Sequence, residues 1–294
     1  MKLKLLLLTA VAAVTATAAA QQVTITRQRD LGVTGFYPVL NASADRVLFT
    51  DLNADGLSAL TLATGDVTRI TDAPGAGISP AWDASGNVYF MSQTVGDDRM
   101  IYRAGNRYDA ATARTTQVLA PQRGAVRPLS SATGDVAIRG TKSYRSTAST
   151  ATTVYTDQST LVINDANGER RLSPVESFAG YLWASLSPDG TRIAFVAAET
   201  GVYVIDLEGN ILSRLGRYEM PSWLDNDHLV VQHATDDGYQ FTSSQLMLLA
   251  ADGSFSRELT APASMTMQPC AARGQIVYTT IDGHLRLMSI EISK

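Results

Sequence analysis

The stretch SLSPDGTRIAFV, Ser185 to Val196, sets a Ser-Pro-Asp-Gly turn directly before an alternating apolar run. Asp189 is either a catalytic or metal-binding carboxylate or the corner of a hairpin. The choice depends on whether the pattern occurs once or many times. It has five relatives: NASADRVLFT (41–50), DASGNVYFMS (83–92), SSATGDVAIRG (130–140), LDNDHLVVQH (224–233) and AARGQIVYTT (271–280). Each is a polar turn leading into a β-branched or aromatic run. The apolar triplets begin at Val47, Val88, Val136, Ile193, Leu229 and Ile276, with spacings of 41, 48, 57, 36 and 47 residues.

A second strand follows each triplet: Leu57 to Leu62, Met100 to Arg103, Leu161 to Asn164, Val202 to Asp206, Leu246 to Leu249 and Leu285 to Ile290. Gly-, Asp- and Asn-rich turns such as ATGD, DANGE, LEGN and AADGS come next, and these supply φ > 0 at no steric cost. An outer strand of the TRIT or SRELT type follows. Upstream of each first turn lies a short segment containing YPVL, SPAW, RPLS, WASL, PSWL or MQPC. Four short strands in each unit of about 40 to 50 residues describe a β-propeller blade. Six units predict an all-β, six-bladed β-propeller with four antiparallel strands per blade. The last unit stops after its third strand, and VTIT in QQVTITRQ (21–28) is available to complete it, leaving no open sheet edge. Six copies of a turn around a ring cannot all be active sites, so Asp189, with Asp45 and Asp135, reads as a hairpin corner.

The chain begins MKLKLLLLTAVAAVTATAAAQQ, with Lys2 and Lys4 before an apolar stretch and an A-x-A-like site at Ala18–Ala20. This reads as a secretory signal peptide over 1–20, cleaved near Ala20, with 21–294 as a single domain. Of the 294 residues, 45% are hydrophobic and the formal net charge is −4; loss of the two leader lysines makes it −6. No later segment reaches the about 18 apolar residues of a membrane span. The acidic balance argues against nucleic acid as a partner. A lone cysteine, Cys270, makes no internal disulfide, which suits a periplasmic or secreted protein held by its core.

The run P-x-W-S-P-D-G-x-x-I-A-F, then a strand, D-x-x-G and R-x-L-T, resembles the WD-like repeats of TolB-type six-bladed propellers; ASLSPDGTRIAFV, VYVIDLEGN and ELTAPA carry the match. The resemblance covers the mature chain. It implies a TolB-like propeller without that family's preceding α/β domain, since about 15 residues separate cleavage from the first blade. It also implies action through protein contacts. Prolyl-oligopeptidase-like hydrolases share the propeller but need a G-x-S-x-G elbow in a following domain, which this sequence lacks.

Several residues are candidates for a site. DLNADG (51–56) opens like a calcium loop, with Asp51, Asn53 and Asp55 as alternate oxygen ligands, but position twelve is Leu62. The other reading is a plain polar turn with no cofactor. Asp97, Asp98, Asp236 and Asp237 occupy equivalent hairpins and join Asp51 and Asp55 in an acidic rim, either a solvated face or a docking surface for a basic partner or cation. The insertion GTKSYRSTASTATTVYTDQST (140–160) holds Lys142, Tyr144, Arg145 and Tyr155. It reads as a binding loop, as two extended strands or as a flexible tip. Trp82 and Trp223 fall in one column with Leu40, Leu129, Leu186 and Cys270, which makes Cys270 a small buried hydrophobe. His228, His233 and His284 assemble no zinc site or Ser-His pair. The expectation is a monomeric, non-enzymatic, exported propeller that binds a protein partner of the cell envelope. The alternative is a glycan-binding or carbohydrate-active propeller using the channel mouth.

Overall fold

Asp189 is a hairpin corner. Its Oδ1 accepts from the Ser187 hydroxyl (2.6 Å), the Thr191 hydroxyl (2.8 Å) and the Thr191 N–H (3.1 Å). Burial alone would raise the Asp189 carboxyl, but these hydrogen bonds hold it below the usual range. The turn caps itself and leaves the apolar run free to alternate between the two faces of a strand. The same logic recurs around the ring, where Asp83 accepts from the N–H groups of Ser85 and Asn87, and Asn41 from those of Asp45 and Arg46.

A computed structural model describes residues 21–141, 144–146 and 151–293. The leader and Lys142 lie outside them; of Tyr144 and Arg145 only the backbone is described. The chain is an all-β propeller of sheets set around a channel. Sheet one contains Phe36–Leu40, Arg46–Thr50, Leu57–Thr61 and Val67–Thr71; sheet two contains Ala81–Trp82, Val88–Val95, Ile101–Asp109 and Arg114–Gln122. Sheet three contains Val126–Ser130, Val136–Gly140 and Tyr144–Ser146; sheet four contains Thr153–Asp157, Thr160–Asp165 and Gly168–Leu172. Sheet five contains Tyr181–Leu186, Arg192–Ala197, Gly201–Asp206 and Ile211–Gly216; sheet six contains Glu219–Trp223, His228–Asp236, Phe241–Ala250 and Ser256–Glu258. Sheet seven contains Thr266–Ala272, Gln275–Thr280 and His284–Ser293, closed by the N-terminal strand Gln22–Thr34. Val23 pairs with Ile292 and Ile25 with Ile290, so the borrowed strand does close the ring.

All six sequence units are there, and five are four-stranded antiparallel sheets. The third departs from four strands per blade: it supplies sheets three and four, each of three strands. Counted by repeats the ring has six units; counted by sheets it has seven. The cause is the insertion over 140–160. Its two strands do not pair with each other. Tyr144–Ser146 adds to Val136–Gly140, and Thr153–Asp157 pairs with Thr160–Asp165. Thr153–Asp157 also runs opposite to the other innermost strands, because the Tyr181 N–H, where sheet five begins, bonds to the carbonyl at its end, Gln158 (2.7 Å).

The core lies in the gaps between sheets, one cluster of buried side chains in each. Phe195 is fully buried between sheets four and five, with the Tyr181 ring at 4.8 Å and the Tyr203 ring at 5.7 Å. Burial of side chains of this size is worth ~2–3 kcal/mol each. Among the described residues the gap between sheets three and four holds the smallest cluster, Leu129, Ala137, Tyr155 and Val162.

In sheets one, two, five, six and seven the innermost strand, or the residues leading into it, carries a backbone bulge. Tyr37, Ser79, Trp183, Met220 and Gln268 all have φ near +50°. Four of them precede a proline, whose missing N–H suits a position without a ladder partner. The register beyond the bulge places Leu40, Trp82, Leu186 and Trp223 opposite the first residue of each triplet. Ser130 and Ala271 take that place in the other two units, so Leu129 and Cys270 sit one position earlier than expected. Cys270 is therefore level with Ser222, and the two do one job. The Cys270 Sγ accepts the Leu40 N–H of the next sheet (3.2 Å), and the Ser222 Oγ accepts the Ala271 N–H (2.9 Å). Where the column holds Trp, the indole N–H bonds the preceding sheet instead, Trp82 to the Val39 carbonyl (3.0 Å) and Trp223 to the Ser185 carbonyl (3.3 Å). Burial pushes the Cys270 thiol up, away from nucleophilic chemistry.

Candidate functional site

The strand order gives the ring two different faces. Outside sheet four, whose strands run the other way, the turn face carries the hairpins from first to second strand, such as 83–87 and 187–191, and the outer turns, such as 207–210. These are short and polar, and no large apolar side chain is exposed in them among the described residues. Their carboxylates are tied to the backbone. Asp206, for example, accepts from the Asn210 side chain and from the N–H groups of Glu208 and Asn210 (2.8 to 3.0 Å), and these bonds hold it below the usual carboxylate range.

The crossover face carries the hairpins from second to third strand and the connections between sheets. It is studded with exposed apolar side chains. Phe178 in a connection is 92% exposed and Tyr239 in a hairpin 99%. Leu52, Val95, Met100 and Ile281 are exposed in the other hairpins of this face or at their edges. Others are exposed elsewhere: Ile25, Val67, Ile211 and Leu212 on outer strands, with Val67 and Ile211 at the edges of outer turns, and Tyr37, Leu182 and Trp183 on innermost strands. The signal was in the sequence, as apolar residues inside turns that otherwise read as polar: DLNADG, ESFAG, DDGYQ and TIDG.

The structure places Asp51, Asp55, Asp97, Asp98, Asp236 and Asp237 on this same crossover face, in sheets one, two and six. Asp282 of sheet seven lies between them, so the acidic arc is continuous over sheets six, seven, one and two. Several of these carboxylates also shape their own loops. Asp51 Oδ1 accepts from the N–H groups of Asn53 (2.9 Å) and Asp55 (2.7 Å), and Asp55 Oδ1 from that of Gly75 (2.8 Å). Among the described residues no group of three or more His, Cys, Asp or Glu side chains converges as a metal site. Asp98 is bonded to Arg123 (2.6 Å) and to the Tyr102 hydroxyl (2.9 Å); the Arg123 bond is the main reason its carboxyl lies below the usual range.

Tyr155 is buried on the innermost strand of sheet four, away from the acidic arc. Lys142 lies outside the described residues, and Tyr144 and Arg145 pair through their backbone with Arg139 and Ile138. Of the described candidates, the carboxylates thus lie in sheets one, two and six, Tyr144 and Arg145 in sheet three and Tyr155 in sheet four.

The channel encloses a cavity of about 840 Å³ lined by innermost strands and adjoining turns, including Arg127, Tyr155, Trp183, Asp225 and Arg273. Trp183 is half-exposed into it. Among the histidines, His228 is buried, with Nδ1 at 2.9 Å from Asp225 Oδ1, and the His233 ring meets Tyr218 edge-on. Among the described residues no helix is long and apolar enough to cross a membrane.

No protein-family model matches the chain, and no curated protein matches it. Solved structures share its fold. TolB from Acinetobacter baumannii superposes with a TM-score of 0.56 at 18% identity, over 81% of this chain and 57% of that one. Virginiamycin B lyase from Staphylococcus aureus gives 0.63 at 12% identity, over 92% and 99%. The WD40 repeats of RRP9 give 0.61 at 11% identity, over 92% and 100%. At these identities the likeness is one of fold, and the chain spans little more than half of the TolB structure.

Proposed function

We propose that this TolB-like propeller is an exported, non-enzymatic scaffold that docks a protein partner of the cell envelope through its crossover face. One observation carries the reading: exposed large apolar side chains crowd into the hairpins and connections of that face and, among the described residues, are absent from within the turns of the other. Apolar side chains ringed by polar loops mark interaction surfaces on folded proteins. The acidic arc beside them favours a partner with a basic patch and speeds encounter more than it adds affinity. The leader-like sequence over 1–20 supports export.

The test is in-cell crosslinking of the tagged protein, followed by mass spectrometry against an unrelated exported control. A dominant envelope partner, weakened when Asp236 and Asp237 become Asn, supports the reading. Capture no better than the control sinks it.

A second reading rests on Trp183. A half-exposed indole on the channel cavity suits stacking on a sugar ring, so a glycan at the channel mouth is the alternative. Glycan binding lost in Trp183→Ala, with the protein still folded, would favour it.

A further inference from the structure

Among the described residues the gap between sheets three and four has the smallest apolar cluster of the ring, and toward the crossover face it opens into a cleft of about 270 Å³. Arg127, Arg139 and Arg171 line it together with Tyr155 and Asp157. The Tyr155 ring orients two of the guanidinium groups, with Arg139 at 5.0 Å and Arg127 at 5.3 Å from its centroid. The internal carboxylates are already engaged. Arg139 pairs with Glu169, and Arg171 pairs with Asp157 (2.9 Å) and Glu169 (3.4 Å). Arg127 has no carboxylate partner among the described residues, and residues 142–150 contain no Asp or Glu. Among the described residues three cations thus face two anions, in an otherwise acidic protein.

We infer that this cleft binds a carboxylate. The excess of one positive charge is neutralised by a monoanion, whereas a phosphate dianion would overshoot it beside Asp157 and Glu169. The planar fork of Arg127 matches a carboxylate with two parallel N–H bonds. The Tyr155 phenol, whose pKa burial raises further, stands beside it as a donor. The cleft is several times the ~30 Å³ of a water molecule, with room for the atoms that carry the carboxylate. The carboxylate comes either from a small free acid or from the end of a polypeptide. The site does not depend on protein docking at the apolar loops.

Titration calorimetry at low salt tests this with N-acetyl-Gly-Gly, its C-terminal amide, acetate and inorganic phosphate. The acid binds and the amide does not. Arg127→Gln weakens the acid by about tenfold or more at an unchanged melting temperature, and Arg127→Lys falls between. Arg171→Gln is the second variant and weakens binding in the same direction. Acetate as tight as N-acetyl-Gly-Gly assigns the site to small acids, and a tighter peptide acid assigns it to chain ends; both bear out the carboxylate. Equal binding of acid and amide, phosphate tighter than every carboxylate, or Arg127→Gln without effect overturns it.

Discussion

The two faces of the ring are made of the same kind of hairpin, yet they differ in what the hairpins display. On the turn face, 187–191 and 206–210 spend their polar side chains on their own backbone, and Ser187, Asp189, Asp206 and Asn210 all bond within the loop. On the crossover face, the loop at 236–240 is capped in the same way, by Asp236 and Asp237, yet it also holds Tyr239 out in solvent. A loop stabilised by its carboxylates can carry an apolar side chain at its tip without needing that side chain for folding. The difference separates what maintains the ring from what the ring offers to a partner.

The largest expected effect breaks the ring itself. Phe195→Ala, in the gap that both faces share, should lose ~3–5 kcal/mol by leaving a cavity among Tyr181, Tyr203 and their neighbours. Urea unfolding measures this, and partner capture should fail with it. The double variant Phe178→Ser, Tyr239→Ser should reduce partner capture by about tenfold or more while leaving the urea midpoint unchanged. The mirror variant, Asp206→Ala on the turn face, should cost ~1 kcal/mol of stability and leave capture intact. A stability loss in the Phe178→Ser, Tyr239→Ser variant or a capture loss in Asp206→Ala would erase the distinction between the faces.

Acid acts on both faces alike. Folding lowers the pKa of Asp206 through the Asn210 bond, of Asp252 through Ser254, of Asp98 through Arg123 and of Asp237 through the N–H of Gln240. A depressed carboxyl contributes stability above its ordinary value of 3.8 and loses it as pH falls through the lower folded value. Glu219 is opposite in sign. Burial, then Asp236, raises it, so its contribution holds below the ordinary 4.5 and is lost as pH rises through the folded value. The lowered groups outnumber it, so the melting temperature should fall on acidification below about pH 4. The smallest effects belong to the latches between sheets. Ser222→Ala, which leaves the Ala271 N–H without its acceptor, should cost ~1 kcal/mol, and Cys270→Ser, which keeps an acceptor, should cost less.

Much of the ring was legible because its punctuation repeats. SPDG before an alternating run predicted the hairpin at Asp189, and the spare VTIT predicted the closing strand. The column of Trp82 and Trp223 was legible only in part. Leu129 and Cys270 lie one position before the column residues Ser130 and Ala271, although a proline two positions before that column, at 38, 80, 128, 221 and 269, marks it in five of the six units. The split third unit was hidden because its added strand Tyr144–Ser146 lies in a Ser- and Thr-rich run without apolar alternation. The equivalence of the hairpins that hold Asp51, Asp97 and Asp236 was readable from the repeats, but the three arginines of the cleft were not. Arg127, Arg139 and Arg171 lie on three strands, and only the packing of sheets three and four brings them together.

The most direct measurement places a photo-crosslinking amino acid at one position per face, at Tyr239 and at Glu208, in the protein expressed in its own cells. Docking through the crossover face predicts a discrete crosslinked envelope protein from position 239 and none from 208. The same adduct from both positions, or an adduct from 208 alone, would contradict it.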